Sequence, residues 1–546
     1  MEKTLSATSI KIRKSVFSIT LNCPGEPSEW EVRLRYRRFG SDISYPFQVA
    51  GPPGKLTASI DIAELPLQDG DWAVVAEPVQ THHAGKTPET ANPPSQTAAI
   101  SSTAQDPTSE HPVVITGKVH AALILGNYEI RKGAHILFPV GSVGWQLILR
   151  CRLRKSYDSL STRLKETAAY AAYRLLRPFI KQKRRWLVYE KYCIAAQDNG
   201  FYFFQYCMEN LSPAENRHIY YILDRDSAQW EKAAKYGKHV IPFMSFRHMF
   251  SLLTANLYVA SDSRLHAYAW LPKPNLISRE IGHHDIFFLQ HGVTAMKRVD
   301  NLFGKKGSAP MTYFTTVSQF EQDIVTQNFG YTRETAPILG FTRWDVLKDR
   351  SPKTDRNLLV MPTWRSWLED QSDEVFCSSE YYQTYMNLLQ NRELLDFLRE
   401  KRVKLVFYIH PKLREFLRNF RAESETVELI PFGGRALNEL IMECSALVTD
   451  YSSVAWDVYY IKKPVIFYQF DAELYERSTG SYIDMNTELF GPRCLTETEL
   501  VRTIEDCVQN DFQEQPHFAE MREKYFAFHD QNNCKRTYDF ILKQGY

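Results

Sequence analysis

Long apolar runs are missing from this chain. Nothing approaches the roughly 18 uninterrupted apolar residues that a membrane-crossing helix needs. Residues Met1 to Lys14 hold no apolar core of the kind a secretory leader carries. Neither a transmembrane helix nor export is therefore expected. Net charge is also scarce. With 66 Lys and Arg against 64 Asp and Glu, the balance is +2 over 546 residues. Such a chain has no global attraction for nucleic acid, and an electrostatic partner must meet a local patch. Cysteine is present but unorganised: nine residues, with no Cys-x-x-Cys pair and no metal-ligand spacing. Free thiols in a reducing cytoplasm are the expectation, with no disulfide, metal or cofactor.

What is present is length enough for two or three domains, each with its own core. Residues 1–149 read as a β-rich domain. Val16 to Leu21, Trp30 to Tyr36 and Ala58 to Ile62 alternate apolar and polar residues between the turn signals Pro24-Gly25 and Gly51 to Gly54. From about 80 to 112 the composition shifts to Thr, Ala, Pro, Ser and Gln, which predicts a disordered loop. Val113 to Ile115 and His135 to Phe138 return to β pattern and complete the same domain. Residues 150–185 carry twelve Lys and Arg against Asp158 and Glu166, a local balance of +10. Leu164, Ala168, Ala171, Leu175 and Phe179 recur there at helical spacing. This predicts a basic amphipathic helical linker. Two readings stay open for it: a solvated connector, or a helix lying on the anionic inner face of the cytoplasmic membrane.

From Trp186 onward, short apolar runs alternate with helical stretches. The first series, 186–350, includes Trp186 to Tyr189, His218 to Leu223, Asn256 to Ala260 and Asp285 to Leu289. The second, 351–546, includes Asn357 to Met361, Val403 to Ile409, Ala446 to Val448 and Val465 to Tyr468. Alternation of this kind predicts an α/β architecture of two Rossmann-like doubly wound domains with a cleft between them. Ligands in such sheets bind at the carboxyl ends of strands.

Four motifs fall at those ends. His291-Gly292 follows one strand; Gly292 permits a tight turn, and a histidine there is placed for general-base work. Lys297 and Arg298 follow, where they can meet phosphate or the acceptor. Pro362-Thr363-Trp364-Arg365 ends a second strand and offers Arg365 as a planar phosphate clamp. His410-Pro411 ends a third. Asp450-Tyr451-Ser452-Ser453 ends a fourth, where its hydroxyls either cap a helix or hold phosphate. Leu339 to Asp345 precedes the second series as a candidate hinge, and its Arg343 is a candidate acceptor or phosphate contact. Asp224-Arg225-Asp226 matches the short signature of metal-dependent transferases, but at the end of its strand an ordinary polar turn is the better expectation. Each motif alone is compatible with plain loop chemistry. Their shared placement argues otherwise.

Taken in order, these motifs resemble the CDP-glycerol glycerophosphotransferase family, the teichoic-acid and capsule polymerases, over about Trp186 to Lys543. The resemblance implies a fold of the glycosyltransferase-B type. It implies His291 and His410 as the two essential histidines. Thr363, Arg365, Ser452 and Ser453 would line a nucleotide-diphosphate pocket, with Asp450 and Asp457 as the acidic positions of the last motif. The implied reaction moves a polyol phosphate from CDP-glycerol, or a related CDP-polyol, to a lipid-linked polymer, with His291 as base. This chain departs from the family pattern at Gln290, where Trp is usual. A nucleotide-sugar glycosyltransferase of the same fold and a non-enzymatic polymer-binding protein are the alternatives.

Overall fold

The computed structural model describes residues 5–37, 42–79, 111–180, 184–269, 271–368, 371–431 and 434–546. The chain divides into two compact units: 1–170 with 271–280, and 171–270 with 281–546.

The first unit is β-rich, as its alternation predicted. Strand Val16–Asn22 buries Phe17, Ile19 and Leu21, and strand Trp30–Tyr36 buries Trp30, Val32, Leu34 and Tyr36. These period-two faces meet in a single core drawn from a five-stranded and a seven-stranded sheet. Two boundaries differ from expectation. His111–Pro112, expected at the end of a disordered loop, form a strand paired with Gly70–Pro78; the rest of that expected loop, 80–110, lies outside the described residues. The last strand, Leu147–Leu153, runs past the expected boundary at 149. Arg150 pairs there with Asp71 at 2.6 Å, and Arg152 with Asp158 at 2.7 Å. The segment 150–185 is therefore not one helical linker. Among its described residues only α1, Leu160–Ile180, is helical, and Lys181 and Lys183 lie outside the described residues. No helix among the described residues is long and apolar enough to cross a membrane.

The second unit holds two parallel six-stranded sheets. In chain order the first comprises β1 (Trp186–Tyr189), β2 (Ile219–Leu223), β3 (Val240–Pro242), β4 (Leu257–Ala260), β5 (Ile286–Phe288) and β6 (Tyr313–Phe314). They lie in the order β3-β2-β1-β4-β5-β6. The second comprises β7 (Arg356–Val360), β8 (Val403–Tyr408), β9 (Val427–Ile430), β10 (Ala446–Thr449), β11 (Val465–Tyr468) and β12 (Arg493–Cys494), ordered β9-β8-β7-β10-β11-β12. Every residue of β1, β4, β10 and β11 is buried, which is why these strands read as unbroken apolar runs. Each sheet changes direction between its first and fourth strands. A doubly wound sheet opens its binding crevice at that switch point.

One element sits outside its expected domain. The last helix lies in the sequence range assigned to the second Rossmann domain. Yet its Tyr538 and Ile541 pack in the core of the first, against the cluster that includes Trp186, Val188 and Phe201. Asp345 fastens its start. The carboxylate accepts Asn533 N at 2.9 Å and Cys534 N at 2.8 Å.

Candidate active site

The first domain presents His291 on the turn after β5. Gln290 turns the chain with a left-handed φ of 60°. The positive φ is thus at Gln290, not at Gly292 as the sequence suggested. Gly292 is needed for a different reason: a Cβ there would lie 2.3 Å from Ser453 Oγ. The turn is clamped from below. Gln290 is buried and donates through Nε2 to Glu321 Oε1 at 3.0 Å. His291 Nδ1 lies 3.2 Å from the Ser261 carbonyl. A carbonyl only accepts, so Nδ1 carries the proton of the neutral ring and Nε2 is left as the acceptor. Beside it, burial would raise the Asp262 carboxyl. The His266 hydrogen bond and the positive charge of Lys191 outweigh burial and hold it at about 2.

The second domain supplies the facing wall from three strand ends. Thr363 and Trp364 follow β7, His410 follows β8, and Ser452 and Ser453 follow β10. Together with His291, Gly292 and Lys297 they line a cavity of about 190 Å³. Lys297 Nζ sits 5.1 Å from the Trp364 ring centroid, and the Trp364 and His410 rings are 6.2 Å apart. Thr363 Oγ1 is buried without a hydrogen-bond partner among the described residues. Such a hydroxyl is costly unless a ligand oxygen satisfies it.

Five predicted site residues lie elsewhere. Arg365 does not present a free phosphate clamp. Its side chain is 1% exposed and each guanidinium nitrogen is engaged: Nε and Nη2 reach Asp471 at 2.7 and 3.0 Å, and Nη1 reaches Asp450 and the Thr363 carbonyl at 2.8 Å. Burial works against that charge, yet the Asp450 and Asp471 carboxylates hold it protonated well above the usual range. Asp450, fully buried, also accepts Thr363 N at 2.8 Å and so shapes the cavity wall from behind. Arg343 and Asp457 form a bidentate pair at 2.9 Å, and Trp344 Nε1 donates to Asp457 at 2.6 Å. Arg343 also reaches Asp198 at 2.8 Å, so it ties the hinge to both domains rather than meeting substrate. Arg298 donates to the Ser481 carbonyl at 2.9 Å, again a bond between domains.

Sequence reasoning missed Asp471, Glu321 and Tyr482. Tyr482 Oη donates to Asp300 at 2.6 Å and accepts the amides of Val299 and Asp300, holding the first domain's loop against the second. Asp471 had a usable signal, since it follows β11 as the other motifs follow their strands. The Asp224 carboxylate accepts Asp226 N at 3.1 Å, the polar turn expected of that tripeptide.

Comparison with known proteins bears on the family and the fold. The chain is 28% identical over 361 residues to the minor teichoic acid biosynthesis protein GgaB of Bacillus subtilis (strain 168), covering 64% of this chain and 38% of that one. It is 23% identical over 353 residues to the teichoic acid poly(glycerol phosphate) polymerase of the same organism, covering 58% and 44%. The chain thus spans about four-tenths of the length of these curated relatives. Among solved structures, the wall teichoic acid polymerase TagF superposes with a TM-score of 0.50 at 17% identity, covering 71% of this chain and 98% of that one. The family profile of CDP-glycerol:poly(glycerophosphate) glycerophosphotransferases matches residues 172–543. By that match, which takes in both Rossmann sheets and every strand-end motif, the chain belongs to this glycerophosphotransferase family.

Proposed function

We propose that the chain transfers a polyol phosphate, glycerol phosphate by preference, from a CDP-activated donor to the terminal hydroxyl of a lipid-linked teichoic-acid-like or capsular polymer, releasing CMP. The observation that carries this is the cavity in which His291 of one domain faces His410, Thr363, Ser452 and Ser453 of the other. The two Rossmann domains with their cleft would then form a catalytic pair of the glycosyltransferase-B type.

In this reading the acceptor hydroxyl oxygen attacks the β-phosphorus of CDP-glycerol. A new P–O bond forms, the bond from that phosphorus to the bridging oxygen breaks, and CMP leaves with the electron pair. The hydroxyl proton passes to His291 Nε2, the nitrogen left as acceptor by the Ser261 bond. Negative charge grows on the diphosphate as it separates. His410, Lys297 and the hydroxyls of Thr363, Ser452 and Ser453 are the groups in the cavity that can meet it. Arg365 and Asp450 support this wall from behind. The full chain is assayed for CMP release from CDP-glycerol, CDP-ribitol and nucleotide sugars with a lipid-linked acceptor. His291→Ala and His410→Ala are each expected to abolish transfer in a folded protein. Release from a nucleotide sugar alone would replace this reading with a glycosyltransferase.

The acceptor is lipid-linked in this reading, and α1 suits the inner face of the cytoplasmic membrane. Leu160, Leu164, Ala168, Ala171, Leu175 and Phe179 are all exposed along it, with Lys165, Arg174 and Arg177 also exposed. An amphipathic helix of this composition lies in an anionic interface.

A further inference from the structure

The buried carboxylate beneath the histidine turn has no part in the chemistry above. Glu321 sits in the first turn of α2, Gln319–Asn328, and is fully buried. It accepts three hydrogen bonds. Thr294 N reaches Oε1 at 2.6 Å, Gln290 Nε2 reaches the same oxygen at 3.0 Å, and Val317 N reaches Oε2 at 2.8 Å. The Thr294 hydroxyl closes the ring by donating to Gln290 Oε1 at 3.0 Å. Gln290 and Thr294 flank His291 and Gly292 in sequence. One carboxylate therefore grips both ends of the turn that projects the histidine into the cavity.

We infer that Glu321 is a positioning residue for His291, acting through Gln290 and Thr294; this rests on the reading of His291 as the base. Three features support it. Gln290 holds a left-handed backbone that a non-glycine residue adopts only when its surroundings enforce it. Burial raises the Glu321 carboxyl to about 7 against the pull of its three donors, so the fold keeps an acid where an apolar residue would be easier to bury. The Gln290 side chain also meets the Thr315 carbonyl, which fixes it from a second strand end. A lock of this kind sets where His291 Nε2 points without touching substrate.

The test uses the full chain, CDP-glycerol and a lipid-linked acceptor. Glu321→Gln replaces one acceptor oxygen by a donor facing donors. It should lower kcat about a hundredfold, the loss expected for a misplaced reacting group, and leave KM for CDP-glycerol unchanged. Gln290→Ala should do the same. The double variant should be no worse than the worse single, because both break one lock. Ser245→Ala removes a helix cap elsewhere in the first domain and serves as the stability control. It should lower the melting temperature and leave kcat alone. Unchanged kcat in Glu321→Gln overturns the proposal, as do additive losses in the double variant. So does a kcat loss in Ser245→Ala that tracks melting in the same way. Thr294→Val removes one hydroxyl bond only; it reads the same lock should Glu321→Gln fail to fold, and an unchanged kcat there is equally fatal. Near-normal turnover in His291→Ala would instead sink the base assignment itself.

Discussion

Gly292 and Ser453 touch across the cleft so closely that a Cβ on the glycine would lie 2.3 Å from Ser453 Oγ and 2.4 Å from its Cβ. The first residue follows the histidine of one Rossmann domain. The second opens the short helix after β10 of the other. Each wall of the cavity thus depends on the other wall's small residue.

Gly292→Ala is therefore predicted to push the walls apart. No rotamer of Ser453 relieves a clash with its own Cβ, so the domains must shift at a cost of about 1–3 kcal/mol, typical of overpacking. Turnover should fall by about tenfold or more for a penalty of that size, while the melting temperature of each domain's core changes little. Ser453→Gly in the same chain should restore part of it. Full activity in Gly292→Ala would show that the cleft works in a more open state.

The buried Arg365 cluster makes the opposite kind of prediction. Removing one partner of a buried ion pair leaves an uncompensated charge and costs about 3–5 kcal/mol. Arg365→Ala strands both Asp450 and Asp471, so a clear drop in melting temperature is expected. KM for CDP-glycerol in the folded fraction should rise only modestly, because Arg365 reaches the cavity only through the Thr363 carbonyl. A phosphate clamp would behave in reverse, with KM rising steeply and melting unaffected.

These two cases mark what the sequence made legible. Strand ends were readable because β1, β4, β10 and β11 are buried on both faces and so carry continuous apolar runs. The motifs at the ends of β5, β7, β8 and β10, His291, Thr363, His410 and Ser452 among them, line one cavity. Partner identity was not readable. Arg365 finds Asp471 across 106 residues, and Arg343 finds Asp457 across 114. A strand-end arginine looks the same on paper whether it faces a phosphate or a carboxylate. The C-terminal helix shows the same limit, since its amphipathic spacing declares a buried face but not which sheet receives it. The Gln290 turn was hidden because no glycine marks its positive φ.

Stability should depend on pH through Glu321. Burial, opposed by its three donors, raises this carboxyl from the usual 4.5 to about 7. The folded state then holds the proton more tightly than the unfolded chain. Its contribution is fully present below about 4.5, falls as pH rises, and is lost above about 7. A shift of this size corresponds to about 3 kcal/mol. Glu190, raised by burial and by the nearby Asp198, acts in the same direction. Melting temperatures measured from pH 5 to 8 should therefore decline. The Glu321→Gln variant should start lower and decline less steeply. A profile equally steep in that variant would assign the slope to other groups.

Helix α1 carries the last prediction. Leu175 is 77% exposed and Phe179 75%, a combination that water disfavours over several turns. Arg174 and Arg177 lie beside them and remain exposed. Arg150 and Arg152, counted with this segment in the sequence, are already paired with Asp71 and Asp158, so they add nothing to a surface field. Binding should rest on the helix itself, with each cation near an anionic surface worth about 1 kcal/mol. The full chain is expected to sediment with phosphatidylglycerol vesicles at low salt and to release as salt rises, since the charge contribution is screened. Leu175→Glu with Phe179→Glu should abolish sedimentation without lowering the melting temperature, because neither side chain is buried. Replacing both cations, Arg174→Gln with Arg177→Gln, should weaken binding and flatten its salt dependence. Sedimentation that survives the double glutamate variant would place the membrane contact on another part of the chain.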